Sequence, residues 1–137
     1  MTSRRWLTLI VAAHLVISLA HGGTHQWGHV PLTPAATLFV VIVILAGPLV
    51  GLAVTRVAKR AGHWIVATTL AGAFVFGVVN HFLVPGTDHV SHVTGDAQLW
   101  FTVTAVLLAV TEAMGCVLAA LLARSPITSD ELPLRRS

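Results

Sequence analysis

Six of the eight histidines in this 137-residue sequence fall in two short stretches. The first, HGGTHQWGH, holds His21, His25 and His29 at spacing i, i+4, i+8. The second, NHFLVPGTDHVSH, holds His81, Asp88, His89 and His92. Neutral imidazole is the commonest protein ligand for zinc, copper, iron and nickel. On an ideal helix His21 and His25 differ by about 40° in azimuth, and His29 by about another 40°, so their rings share one face. His89 and His92, three residues apart, share one turn if their segment is helical. Asp88 can ligate an ion directly or orient a ligating histidine from behind. There is no methionine-rich or cysteine motif, and the lone Cys116 sits in an apolar run as a small packing residue. The set therefore suits four-coordinate zinc(II), or a histidine-ligated copper(II) or iron ion, better than soft copper(I) carriage.

The elements that must position these residues are membrane helices. Mean hydropathy is +0.85, and only 9% of residues are charged, against roughly 25% in a soluble domain. The expected fold is all-α, an integral membrane four-helix bundle forming one domain over residues 1–124. Spans are expected at about residues 6–26, 35–54, 64–84 and 99–122. Residues 125–137, polar and holding two prolines, read as a disordered cytoplasmic tail. Thr33-Pro34 is a helix start, with a capping hydroxyl and then proline in the first turn. Gly47-Pro48 predicts a kink inside the second span, and Pro85-Gly86 ends the third. Asp96 is expected to cap the fourth. Gly47 and Gly51, like Gly72 and Gly77, suit close helix contact.

The first segment carries a second reading. Arg4 and Arg5, an apolar centre and Ser18-Leu19-Ala20 also fit a cleaved signal peptide, which would leave three spans. Cleavage after Ala20 would make His21 the first residue. Its amine and ring could then bind copper together, which resembles the histidine brace of copper proteins.

Charge sets the orientation. All eight Lys/Arg fall before span one, between spans two and three, or after span four. The positive-inside rule then puts both termini and the middle connection in the cytoplasm, and both histidine stretches on the extracytoplasmic face. If the signal is cleaved, the N-terminus lies outside. Trp27 and Trp100 fall at the outer interface, and Trp6 and Trp64 at the inner one. His63, at the inner end of span three, is expected to face solvent or headgroups. By about 1.5 Å per residue, His14 lies roughly 12 Å and Glu112 roughly 18 Å from the inner ends of their helices. Ionisable groups at such depth face the bundle interior with a partner, so His14 and Glu112 are expected to form a buried polar pair.

Function divides into three readings. The first is binding of a transition metal by His21, His25, His29, His81, Asp88, His89 and His92, as a metal-handling or redox accessory subunit. The second is a b-type haem electron-transfer protein, with His21 or His25 opposite His81. The third is a cofactor-free structural or assembly subunit of a membrane complex. The HxxxH and HxxH spacings also resemble the histidine boxes of membrane di-iron desaturases and hydroxylases. Those boxes face the cytoplasm and come as a larger set, and a metal-activated water would find its base only in Asp88. The lipid bilayer is the first expected partner, and four short spans point to an oligomer or a subunit of a larger complex. The few basic residues form no patch for nucleic acid, and there is no phosphate loop or GxGxxG.

Overall fold

The computed structural model describes residues 3–125. Four helices make up most of it, with no strand among the described residues: α1 (Ser3–Trp27), α2 (Pro34–Val54), α3 (Lys59–Leu83) and α4 (Ala97–Arg124). All four are long and apolar enough to cross a membrane. The helix ends lie within a few residues of the expected ones, except that α3 begins at Lys59 rather than near residue 64. Its first turn is polar, so apolarity alone did not mark it. The tail expected beyond residue 125 lies outside the described residues.

The helices pack in the order α1–α4–α3–α2, and the ring closes only weakly between α1 and α2. Small residues allow the close crossings. A Cβ on Gly62 would run into the backbone of Thr55 and of Gly51, and one on Gly51 into Val66 and the Gly62 carbonyl. Between α4 and its two neighbours, Gly115 lies against Leu70 and Ile10. One end of the interior is dry: Leu7, Val11, Val66, Ala67, Leu70 and Ala119 form an apolar cluster, each at most 3% exposed. The outward faces keep large apolar side chains such as Val16, Leu19, Leu38, Ile42, Met114 and Leu121 more than half exposed. Large exposed apolar side chains of this kind are compatible with a membrane setting.

Two prolines shape what the site later uses. Thr33 caps α2 in extended geometry and its hydroxyl accepts from Ala36 N–H at 3.2 Å. The chain then widens into a π-helical stretch over Val40–Ala46, just ahead of Gly47-Pro48. Pro48 has no N–H to give the Ile44 carbonyl four residues back. That carbonyl instead accepts from His14 Nε2 at 3.1 Å. The end of α3 repeats the device. Val79–Leu83 is π-helical, Pro85 cannot supply the His81 carbonyl, and Val90 N–H does so at 3.0 Å. The connection after α3 is thereby folded back over the helix end.

Two local expectations need correction. Asp96 does not cap α4: it is already helical (φ −66°, ψ −21°) and its side chain makes no capping bond. Gly95, at φ +73°, makes the turn instead, and its carbonyl accepts from Gln98 N–H. His63 does not face solvent. It is 8% exposed, and neither ring nitrogen has a hydrogen-bond partner.

Candidate metal centre

The triad at the centre of the site comes from two helices. His21 and His25 lie one turn apart near the end of α1, which stays helical through Gly22-Gly23 to Trp27. His81 comes from the π-helical turn of α3. All three are buried, with exposures of 6%, 7% and 5%. They offer one ligand atom each, all within 4.8 Å of one another. The His21 ring meets both others edge-on, with centroids 4.8 Å apart in each case. Phe101 of α4, fully buried, packs against all three rings. Above it, Val30, Val93 and Ala97 close an apolar cap.

The hydrogen bonds fix which nitrogen of each ring is free. His21 Nδ1 lies 2.8 Å from Thr104 Oγ1. That hydroxyl spends its own hydrogen on the Trp100 carbonyl at 2.7 Å, so it accepts from His21. His25 Nδ1 lies 3.3 Å from the Val30 carbonyl, and His81 Nδ1 lies 2.9 Å from the Asp88 carbonyl. A carbonyl can only accept, so each of these Nδ1 atoms carries a hydrogen. In all three neutral rings the lone pair is therefore on Nε2. The Nε2 atoms of His21 and His81 face each other at 3.2 Å, and His25 Nε2 faces Asp88 Oδ1 at 3.3 Å. Lone pair against lone pair, and lone pair against carboxylate, repel unless positive charge, a proton or a metal cation, lies between them. At tetrahedral zinc with bonds of about 2.0–2.1 Å, neighbouring ligand atoms stand about 3.3 Å apart. The donor set thus fits a transition-metal cation. Histidines that ligate metals typically donate their other N–H to a carboxylate, carbonyl or water, and all three rings here donate theirs to a hydroxyl or carbonyl oxygen. Asp88 Oδ1 is also 3.5 Å from His81 Nδ1, so the carboxylate borders two of the three rings.

The remaining candidates divide. His29 lies past the end of α1 in left-handed backbone (φ 52°) and is exposed. His89 and His92 sit together in the loop, rings 5.6 Å apart. His89 Nδ1 bonds the Ser91 hydroxyl, and His92 Nδ1 donates to the Gly86 carbonyl. The loop turns these rings outward, so they do not join the triad. His14 and Glu112 do meet in the interior, with Nδ1 to Oε1 at 3.8 Å. That is longer than a hydrogen bond, and His14 Nδ1 has no hydrogen-bond partner. Sequence reasoning missed Thr104. A threonine inside an apolar helix carries no signal until its partner ring is placed.

Below the triad lies a cavity of about 70 Å³, bordered by His21, His25, His81, Asp88 and Glu112 together with apolar groups of α2, α3 and α4. It accommodates a few water molecules, at about 10–15 Å³ each on this measure. A haem between His21 or His25 and His81 would need room for a macrocycle between rings that are already in contact. The geometry favours a bare ion.

No family model, curated protein or solved structure matches this chain. Fold and site together define a class: an all-helical chain with four helices able to cross a membrane and three buried histidines able to hold a metal ion.

Proposed function

We propose that this chain is a small polytopic membrane protein that binds one divalent transition-metal ion through His21, His25 and His81. Asp88 is the neighbouring carboxylate, and the role is that of a metal-handling or redox accessory subunit. The observation that carries the reading is the convergence of three buried imidazoles, one ligand nitrogen of each within 4.8 Å of the others, with a hydrogen bond at each Nδ1. The four apolar helices support a bilayer setting. The distribution of basic residues supports a site at the extracytoplasmic end. Desolvation under the apolar cap strengthens an ion–ligand interaction and restricts exchange with water.

The test is an equilibrium titration of the full chain in detergent with zinc(II) against a chromophoric chelator. One ion per chain is expected. His21→Ala, His25→Ala and His81→Ala each weaken binding by at least about a hundredfold, beyond the roughly 10–100-fold typical of an outer-sphere loss. His89→Ala leaves affinity unchanged. Equal affinity in wild type and the three triad variants would overturn the proposal.

A further inference from the structure

We propose that His29 and His92 form an exposed entry site that captures the ion first and passes it to the triad by way of His25. The inference rests on the metal reading above. His29 and His92 border one surface groove of about 240 Å³, with Val30, Pro31 and Thr87. His29 also borders a second groove of about 410 Å³, which shares Val30 and Pro31 with the first and reaches His25. His25, Gly22 and Leu32 then belong both to this second groove and to the cavity beneath the triad. Imidazoles thus line three adjoining hollows in succession: His92 and His29 outside, His25 where the second groove meets the cavity, His21 and His81 within. The path opens between α1 and α2, where the helix ring closes weakly.

Three features suit this path to ligand exchange. His92 gives its Nδ1 hydrogen to the Gly86 carbonyl, which leaves Nε2 free as a donor to metal. His29 stands in left-handed backbone just past the end of α1, and its ring borders the groove rather than the triad. The triad itself is 5–7% exposed, so an ion reaching it straight from water would have to shed its hydration without replacement ligands. On the path each step exchanges one neutral imidazole for another, and no proton or electron moves. The Asp88 carboxylate beside His25 offsets the charge of the ion as it leaves water.

The consequence is kinetic. An ion held at the entry site reaches His25 at high effective concentration, so losing that site slows loading without altering the final complex. The variant is His29→Gly with His92→Ala, because glycine accepts the left-handed backbone at position 29 and keeps the turn. Zinc(II) loading of the full chain is followed by rapid mixing with a fluorescent chelator, and release by challenge with excess chelator. Loading and release both slow by about tenfold or more, while the dissociation constant stays within about twofold. His21→Ala, in contrast, weakens the dissociation constant. If the double variant loads at the wild-type rate while wild type binds one ion tightly, the entry site is refuted and the triad stands. If the double variant loses affinity as His21→Ala does, its histidines are equilibrium ligands and the entry role is likewise refuted. If wild type binds no ion, the metal reading itself falls.

Discussion

Thr104 supplies the sharpest perturbation of the site, because it touches no ion. Its hydroxyl accepts from His21 Nδ1 at 2.8 Å and donates to the Trp100 carbonyl of its own helix. Thr104→Val keeps the shape and removes the acceptor. The buried Nδ1–H of His21 is then left unpaired, at a cost of about 1–3 kcal/mol. The ring can escape that cost by moving its hydrogen to Nε2, which removes the lone pair that faces His81. The second route lowers metal affinity, because the hydrogen must return to an unpaired Nδ1 when the ion binds, at a cost of up to the same roughly 1–3 kcal/mol. At 1.4 kcal/mol per factor of ten, 1–3 kcal/mol corresponds to about 5–150-fold. That agrees with the roughly 10–100-fold loss found when outer-sphere partners of ligating histidines are removed. The assay is competitive zinc(II) titration of the detergent-solubilised chain. Thr104→Ser, which keeps the hydroxyl, stays within about threefold of wild type. If Thr104→Val binds as wild type does while His21→Ala does not, Thr104 does not set the His21 tautomer and the lone-pair argument fails.

Further outcomes follow from the packing and the charge. Gly62→Ala drives a Cβ into the backbone of Thr55 and Gly51, where nothing flexible can yield, and costs about 1–3 kcal/mol of stability. Gly115→Ala meets mainly the side-chain ends of Leu70 and Ile10 and costs less, so thermal unfolding in detergent ranks the two. Glu112→Ala enlarges the interior cavity beside His14 and lowers stability by about 2–4 kcal/mol, whereas Glu112→Gln, of equal volume, costs under about 1.5 kcal/mol. Metal affinity falls on acidification, because protons compete for the Nε2 lone pairs and only neutral imidazole ligates, and an affinity independent of pH would contradict histidine ligation. With Cys116 replaced by serine, a cysteine at position 89 is labelled from the extracytoplasmic side and one at position 57 from the cytoplasmic side. The reverse pattern would overturn the orientation.

The helices were legible because their signals are long-range sums. Runs of some fifteen to twenty mostly apolar residues, bounded by Arg56–Arg60 or by Pro85-Gly86, mark a span whatever their neighbours do. The Thr33-Pro34 start was legible for a local reason, as cap and proline act within one turn. Spacing placed His21 and His25 on one face, and depth counting placed His14 opposite Glu112. What spacing could not do was sort the seven candidate ligands. His29 differs from His25 by another helical turn in the sequence, yet α1 ends at Trp27, and the left-handed turn sends that ring outward. His89 and His92 share a motif with His81, but the loop that carries them folds back through the Val90-to-His81 bond and leaves them on its surface. Thr104 and the carbonyls of Val30, Asp88 and Ile44 were invisible, because backbone acceptors have no sequence signature. The use of Pro48 and Pro85 to release carbonyls for the site emerges only once both partners are in place.

The most direct measurement is elemental analysis of the full chain purified from membranes in chelator-free detergent, beside a variant carrying His21→Ala, His25→Ala and His81→Ala. The account predicts about one equivalent of a single transition metal in the wild type and almost none in a folded variant of equal helicity. Equal metal content in the two proteins, or none in a wild type offered zinc, copper and iron, would contradict it.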